Sequence, residues 1–559
     1  MPEIRISRLD ELQRYFPQLH AAGIIAVRFE ITGSDPHVDR ICSIFLAAKD
    51  CPVLVLDVEA LGKTALQELF TTSAVKVFYD AKSDLQFLLA LEISPKPLFD
   101  ASLAAQLLYL PGESEDYDLH ALFQRYLDEN KAEGSDAVHN VQNLLRLREA
   151  MVPLLYQNGL AKVAEIEFQC VRAVAHIEYH GVHLDRTRWQ KLLEKTEAER
   201  NEVLQRLYSY TETPSVQKTF WGEETIRGPN FDSTSFVLNL LQENGIPVNG
   251  TSKWDLYPYR DHPLVQTIAE YRKASKSLSA FLYPLPELIR PATGRLHPQY
   301  GQLVAHSGRM SCCTPNIQQI PRTNSFRECF TAPPGHRLII ADYSQIELRV
   351  AAQVSGDERM CGAFQKGEDL HLLTASYIAG KSKELVSRQE RQAYKAVNLG
   401  FIYGMGAKGL QATAEMSYGI DMSLEDAALF RKRFFDAYRG IARWHRDVMN
   451  ASSDEGRTLT GRRFMFRKEA GLPERSNLPV QGTAADIIKK ALGLLVDRID
   501  SGTKIVAVVH DEILIESPES RANEAATALK SAMEDAVNGI LPEVPTAVEP
   551  VISASWAEK

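Results

Sequence analysis

Residues 338–350 read LIIADYSQIELRV and residues 504–517 read KIVAVVHDEILIES, and whether these two stretches pair decides the fold. The first is an apolar run too short for a helix that ends in Asp342, with Glu347 five residues on. Alone it fits a buried strand closed by a capping carboxylate. The second holds two apolar runs on either side of His510, Asp511 and Glu512, which predicts a β-hairpin with the polar residues at its tip. Neither Gly nor Asn marks that turn, and adjacent carboxylates repel unless a cation or solvent stabilises them. If the strands are neighbours in one sheet, Asp342 and Asp511 converge. Two such carboxylates can hold two divalent ions roughly 3.5–4 Å apart, the geometry of phosphoryl transfer. Magnesium is the hard, oxygen-seeking ion for that role.

A third stretch, RQERQAYKAVNLGFIYGMG at 388–406, repeats Arg391, Lys395, Leu399 and Tyr403 every four residues, so the four share one broad helix face. An ordinary amphipathic helix is the plain reading. The order cation, cation, apolar, aromatic also suits a helix laid along a nucleotide, its basic end on the phosphates and its apolar end against sugar and base.

Around these segments the 559 residues are too many for one core and predict several domains. Short β-branched runs (IIAVRFEI, CSIFLAA, CPVLVLDV, AVKVFYD) alternate with helical patterns over the first 110 or so residues, an α/β domain. A charged helical tract follows from about 115 to 160. Two long helices joined by the turn HGVHLD are expected from Glu165 to Leu207, then polar Pro/Gly-containing sequence from 211 to 263. The next helical stretch gathers Arg272, Lys273 and Lys276, read as a contact to backbone phosphates. Beyond Pro291 the chain is α+β, with a large helical insertion from 357 to 450. Seven cysteines contain no C-x-x-C pair and are expected to be reduced and structural. The net charge of -9 excludes nothing, because carboxylates can ring a metal while basic residues line a groove. No apolar run approaches a membrane span, the N-terminus lacks a signal-peptide core, and the cytoplasm is the expected location.

The segments DYSQIELR, R-x-x-x-K-x-x-x-L-x-x-x-YG and VHDE, in this order, resemble motifs A, B and C of family A DNA polymerases, of the DNA polymerase I large-fragment type. SGRMSCCTPNIQQIP at 307–321, GEDLH at 367–371 and NLPVQGTAADIIKKA at 477–491 reinforce the likeness. It implies a multidomain α/β and α+β chain: a ribonuclease H-like exonuclease domain (1–160), then a right hand with thumb (161–300), palm (301–356 and 451–559) and fingers (357–450). It implies template-directed addition of dNTPs to a primer with two Mg2+ ions. Asp342 and Asp511 resemble the metal-binding aspartates, with the Tyr343 carbonyl as a further ligand, Glu512 as accessory carboxylate and Lys395 in the catalytic set. Glu347 resembles the steric gate against a 2′-hydroxyl, an exclusion device. Gln345, His371, Arg391, Lys395 and Tyr403 match nucleotide-binding positions. Leu399 departs from the Phe or Tyr usual there, which leaves dideoxynucleotide discrimination open. Arg309, Asn316, Gln318, Asn477, Gln481 and His510 match positions that touch primer and template, partly through minor-groove acceptors common to every correct pair.

The opening domain resembles the family's 3′–5′ exonuclease, whose first motif reads F-D-x-E-T-x-G-x-D-P. Here VRFEITGSDP puts Arg28 at the first aspartate and keeps Glu30. KVFYDAKSDLQFLL retains Asp84, with Asp80 in place of asparagine. The third motif, Y-x-x-x-D, is missing where SDAVHNVQNLL offers only His139 and Asn140. A guanidinium inside a two-metal site adds repulsion, so proofreading is expected to be absent or very weak. Residual exonuclease activity is the alternative. The exonuclease-like segment starts almost at residue 1, so a 5′-nuclease domain is not expected. A single-subunit RNA polymerase would share the aspartates and the Lys/Tyr helix, but Glu347 argues against it. A nucleic-acid-binding scaffold with relic sites is the non-enzymatic alternative, opposed by the intact carboxylates. Primer-template DNA is the expected partner, and a monomer without membrane contact the expected state.

Overall fold

The computed structural model describes residues 3–109, 116–128, 136–211, 216–218, 224–226, 229–418 and 422–558. The expected helical tract at 115–160 and the polar tract at 211–263 therefore lie partly outside the described residues.

The first six strands, β1 (Glu3–Ile6), β2 (Ile24–Ile31), β3 (Ile41–Ala48), β4 (Val53–Asp57), β5 (Val75–Phe78) and β6 (Leu98–Asp100), form one sheet in the order β1-β4-β3-β2-β5-β6. Pairing is antiparallel where β3 meets β2 and β4, and parallel elsewhere. Helices cover both faces, which is why these strands are apolar almost throughout. Along β2, Ile25 and Val27 enter one core while Ala26 enters the other, the two-residue alternation of a strand. On one face lies α1 (Ala81–Ala90), on the other α2 (Ala137–Gln157).

The two long helices expected on either side of HGVHLD are α3 (Ala161–His180) and α4 (Arg186–Tyr208), broken where Gly181 takes a φ of 60°. α3 is a spine shared by three cores: Val163 and Ala164 pack into one face of the first domain, Val171 and Ala175 into the other, and Cys170, Val174 and Ile177 into the large C-terminal core. α4 begins in the large C-terminal core with Trp189, and its far end joins α5 (Pro263–Ser277) and the helix Thr234–Glu243 in a small core around Leu207, Leu240 and Ile268. The 211–263 tract thus contains a helix, which its Pro/Gly content obscured. The expected basic face of α5 is also modified. Arg272 donates to the Thr251 carbonyl (2.5 Å) and hydroxyl (2.9 Å), so only Lys273 and Lys276 remain exposed.

The C-terminal region is built on β7 (His336–Asp342), followed by α6 (Ile346–Ser355), α7 (Leu370–Ala379), α8 (Arg388–Ile402), α9 (Leu472–Val496), the hairpin β8 (Lys504–Val509) and β9 (Glu512–Pro518), α10 (Ala522–Asn538) and β10 (Val551–Ser553). The sheet order is β8-β9-β7-β10, antiparallel throughout. One continuous core runs from Ile339 and Leu514 in this sheet to Phe401 and Phe434 in the helical insertion, so the insertion is packed onto the sheet rather than cored separately.

Candidate active site

The hairpin brings the two distant carboxylates together. Asp342 stands opposite Glu512 in the β7/β9 ladder, and the Tyr343 amide donates to the Asp511 carbonyl (3.2 Å). Asp342 and Asp511 are therefore diagonal neighbours at one end of the sheet, and both line a cavity of about 830 Å³. The turn is closed by His510 at a φ of 60°, a left-handed conformation that histidine tolerates better than most residues. Gln345 adopts the same region (φ 56°) where α6 begins, and its Oε1 is buried without a hydrogen-bond partner. Tyr343 is locked by its hydroxyl, which donates to the Met533 carbonyl (2.8 Å).

Three residues of the predicted stripe, Arg391, Lys395 and Leu399, face the same cavity from α8, and Tyr403 follows the last helical residue. α8 starts in a capping box in which Ser387 and Glu390 satisfy each other's backbone amides. Arg391 is not loose: its Nε donates to Asp369 (2.6 Å), which also caps α7 through the amides of His371 and Leu372. His371 is 3% exposed, and burial pushes its pKa down to about 4. Asn398, oriented by the Thr374 hydroxyl on its carbonyl oxygen, donates to His371 Nδ1 (2.9 Å). The ring proton therefore sits on Nε2, leaving a neutral donor.

Glu347 is held from two sides, by the Tyr403 hydroxyl (2.7 Å) and by an ion pair with Arg309. Burial, then Glu347, raises the Tyr403 pKa well above the usual tyrosine range. Arg309, expected on DNA, thus has an internal partner here. Glu512, expected as an accessory carboxylate, is buried, accepts from Trp556 Nε1 (2.7 Å) and pairs with Arg327 (3.4 Å). Asn316 caps a short 3-10 turn by accepting from the Gln318 amide (3.1 Å), while Gln318 reaches the Met310 carbonyl (3.3 Å) and lines the cavity. Asn477 and Gln481 lie one turn apart on α9, and the Asn477 Oδ1 is buried without a partner. His510 lines the cavity, and partial desolvation of its ring, then Arg309 and Arg322 nearby, lowers its pKa. Arg322, which also lines the cavity, was missed by sequence reasoning; its only signal was a basic residue just beyond the 307–321 segment.

Chemically, two carboxylates and a backbone carbonyl are hard oxygen donors that fit a divalent cation, with cations and a neutral donor set opposite them for a polyphosphate. Among the described residues no cluster of three or more His, Cys, Asp or Glu adds a further metal site.

In the first domain Arg28, Asp80 and Asp84 lie near one another. Arg28 on β2 lies 5.9 Å from the Tyr79 ring and close enough to Asp84 to favour its ionised form. Burial and Asp80 outweigh that help and push Asp84 up to about 7. Glu30 is exposed further along β2. His139 and Asn143 bond to each other (2.9 Å) within α2, and Asp136 serves as that helix's N-cap.

Asp342 and Asp511 thus face the basic residues of α8 across one cavity, an arrangement suited to a polyphosphate and a divalent cation. Comparison with known proteins agrees. The family model for DNA polymerase family A matches residues 244–558, and that for 3′-5′ exonuclease matches residues 4–153. DNA polymerase I of Aquifex aeolicus is 32% identical over 522 residues, 86% of this chain and 88% of that protein. The thermostable DNA polymerase I of Thermus filiformis is 34% identical over 431 residues, 74% of this chain but 50% of the relative. A solved structure, described as the POL domain of Pol1 from M. smegmatis in complex with DNA primer-template and dNTP, superposes with a TM-score of 0.77 at 25% identity, covering 100% of this chain and 99% of that one. The chain belongs to DNA polymerase family A, the DNA-directed DNA polymerases, with an exonuclease-family domain ahead of the polymerase domain. No helix among the described residues is long and apolar enough to cross a membrane.

Proposed function

We propose that this chain extends a primer 3′ end with dNTPs by two-metal nucleotidyl transfer, with Asp342, Asp511 and the Tyr343 carbonyl holding two Mg2+ ions. The observation that carries the reading is the register that sets Asp342 beside Asp511 at the cavity. When bound, the ions lower the pKa of the primer hydroxyl and neutralise the leaving pyrophosphate. The protein's own groups do the rest. Lys395, exposed to the cavity, and Arg391, oriented by Asp369, meet the triphosphate, and His371 donates to it from Nε2 while staying neutral. Leu399 offers an apolar surface to the base. Glu347, braced by Tyr403, excludes a 2′-hydroxyl. Arg309, Gln318, Asn477, Gln481 and His510 contact primer and template, Arg309 exchanging part of its bond to Glu347 for the DNA. We assign residues 1–160 as exonuclease-like, 161–300 as thumb, 301–356 and 451–559 as palm and 357–450 as fingers, in a cytoplasmic monomer.

Proofreading is absent or very weak in this reading, because Arg28 occupies the place of a metal-binding aspartate and adds positive charge where two cations would sit. A labelled primer-template tests both parts. With Mg2+ and dNTPs, wild type should extend it, and Asp342→Asn and Asp511→Asn should lose at least roughly a thousandfold in rate, equivalent to about 4 kcal/mol. Folded variants that still extend would refute the assignment. Without nucleotides, a 3′-mismatched primer should survive; degradation that disappears in Glu30→Ala or Asp84→Ala would show a working exonuclease.

A further inference from the structure

The edge of the catalytic sheet is closed from outside it. β8 is paired with β9 on one side only, so its outer backbone groups need partners from elsewhere. His176 of α3 accepts from the Ile505 amide (3.2 Å). Tyr300, in the short strand Gln299–Gly301, does more: its hydroxyl donates to the Val508 carbonyl (3.0 Å) and accepts from the Val508 amide (3.3 Å). Val508 is three residues before Asp511.

Tyr300 is 1% exposed and is itself gripped at both backbone groups. Its amide donates to Glu178 of α3 (2.7 Å), and its carbonyl accepts from Lys82 (2.9 Å). Lys82 also donates to Glu178 (3.1 Å), and Gln86 reaches the other oxygen of that carboxylate (2.9 Å). Lys82 and Gln86 sit one turn apart on α1, the helix of the exonuclease-like domain that carries Asp84. Glu178 is buried, so its negative charge depends on Lys82 as counter-ion.

We propose that Lys82 and Tyr300 are positioning residues for DNA synthesis: through Glu178 and Val508, the exonuclease-like domain fixes the strand that presents Asp511. The proposal rests on the polymerase reading of Asp511. The hairpin joins Val509 to Glu512 through two residues only, so it has no slack to absorb a shift at Val508, and a misplacement of about 1 Å at reacting groups can cost a hundredfold in rate. A domain without its first exonuclease aspartate thereby acquires a part in polymerisation.

The test uses the full chain with Lys82→Met, Tyr300→Phe, the double variant and Lys82→Arg. The readouts are single-nucleotide incorporation, its Mg2+ dependence, and hydrogen exchange over residues 504–511. Both single variants should lower kcat by roughly ten- to a hundredfold with KM for dNTP unchanged, raise the Mg2+ concentration for half-maximal activity, and speed exchange in 504–511 but not in β10. The double variant should be no worse than Tyr300→Phe, because the two act in series, and Lys82→Arg should restore activity. Lys63→Met, which breaks an ion pair with Glu92 elsewhere in the same domain, should behave as wild type. Folded Lys82→Met with wild-type kcat, Mg2+ dependence and exchange would overturn the proposal, as would equal losses in Lys63→Met. If wild type itself extends no primer, the polymerase reading fails on its own; the exchange measurement still decides the strut, with unchanged exchange refuting it.

Discussion

His371 shows how burial sets chemistry at a single residue. An unfolded chain protonates histidine near pH 6.5, whereas this ring resists protonation until about pH 4. Its contribution to stability is therefore complete above pH 6.5 and is lost as the pH falls toward 4. In denaturant titrations, the stability difference between wild type and His371→Gln should shrink by about 1.4 kcal/mol for each pH unit below 6.5; a difference constant from pH 7 to 5 would contradict a neutral, buried ring. Glu347 makes a second test. Glu347→Ala should admit ribonucleotides, and Tyr403→Phe should do so more weakly, because it removes one hydrogen bond to a charged group, worth about 1.5–3 kcal/mol. The ratio of kcat/KM for rNTP and dNTP measures both, and a Tyr403→Phe enzyme as selective as wild type would show that Glu347 needs no brace.

Among the elements, α8 was legible in the sequence because its four-residue repeat is a local property of the helix. Its anchoring was legible in part: Ser387 and Glu390 stand three apart, as a capping box requires, but the bond from Asp369 to Arg391 joins residues with no periodic relation. Ser387→Ala should cost about 1 kcal/mol of local stability, seen as faster amide exchange in the first turn of α8, and should raise KM for dNTP since Arg391 ends that turn and Lys395 lies one turn further on. Unchanged exchange would mean that packing alone holds the helix start. The hairpin β8–β9 was equally legible from its two apolar runs. That His510 would supply the left-handed turn residue was not, because only the strand register demands a positive φ there.

At the scale of the whole molecule, a buried charge cluster ties α3 to the C-terminal region. Glu167 of α3 accepts from Lys489 of α9 (2.6 Å) and Gln302 (2.7 Å) and pairs with Arg462, whose Nε also donates to Asp486 (2.7 Å). Burial pushes the Glu167 carboxyl up, but Lys489 and Arg462 outweigh it and hold the group below the usual carboxylate range. Two cations meet two anions, so the network is balanced, and removing one member leaves an uncompensated buried charge. Lys489→Met should destabilise the chain by roughly 3–5 kcal/mol, with part of the loss recovered in Glu167→Gln/Lys489→Met. Denaturant midpoints check this; a single variant as stable as wild type would mean that water reaches the cluster.

The amino-acid sequence by itself determined the alternating elements of the first domain, the long helices about Gly181, the strand ending in Asp342 and the hairpin bearing Asp511, since each is written in spacings of a few residues. Tertiary structure decided the rest: that Arg272 turns inward to Thr251, that Glu512 is held by Trp556 and Arg327, that Arg309 holds Glu347, and that Tyr300 closes the edge of β8. In each case a buried donor or acceptor must find a partner, and the partner comes from chain 21 to 208 residues away, beyond the reach of any local pattern.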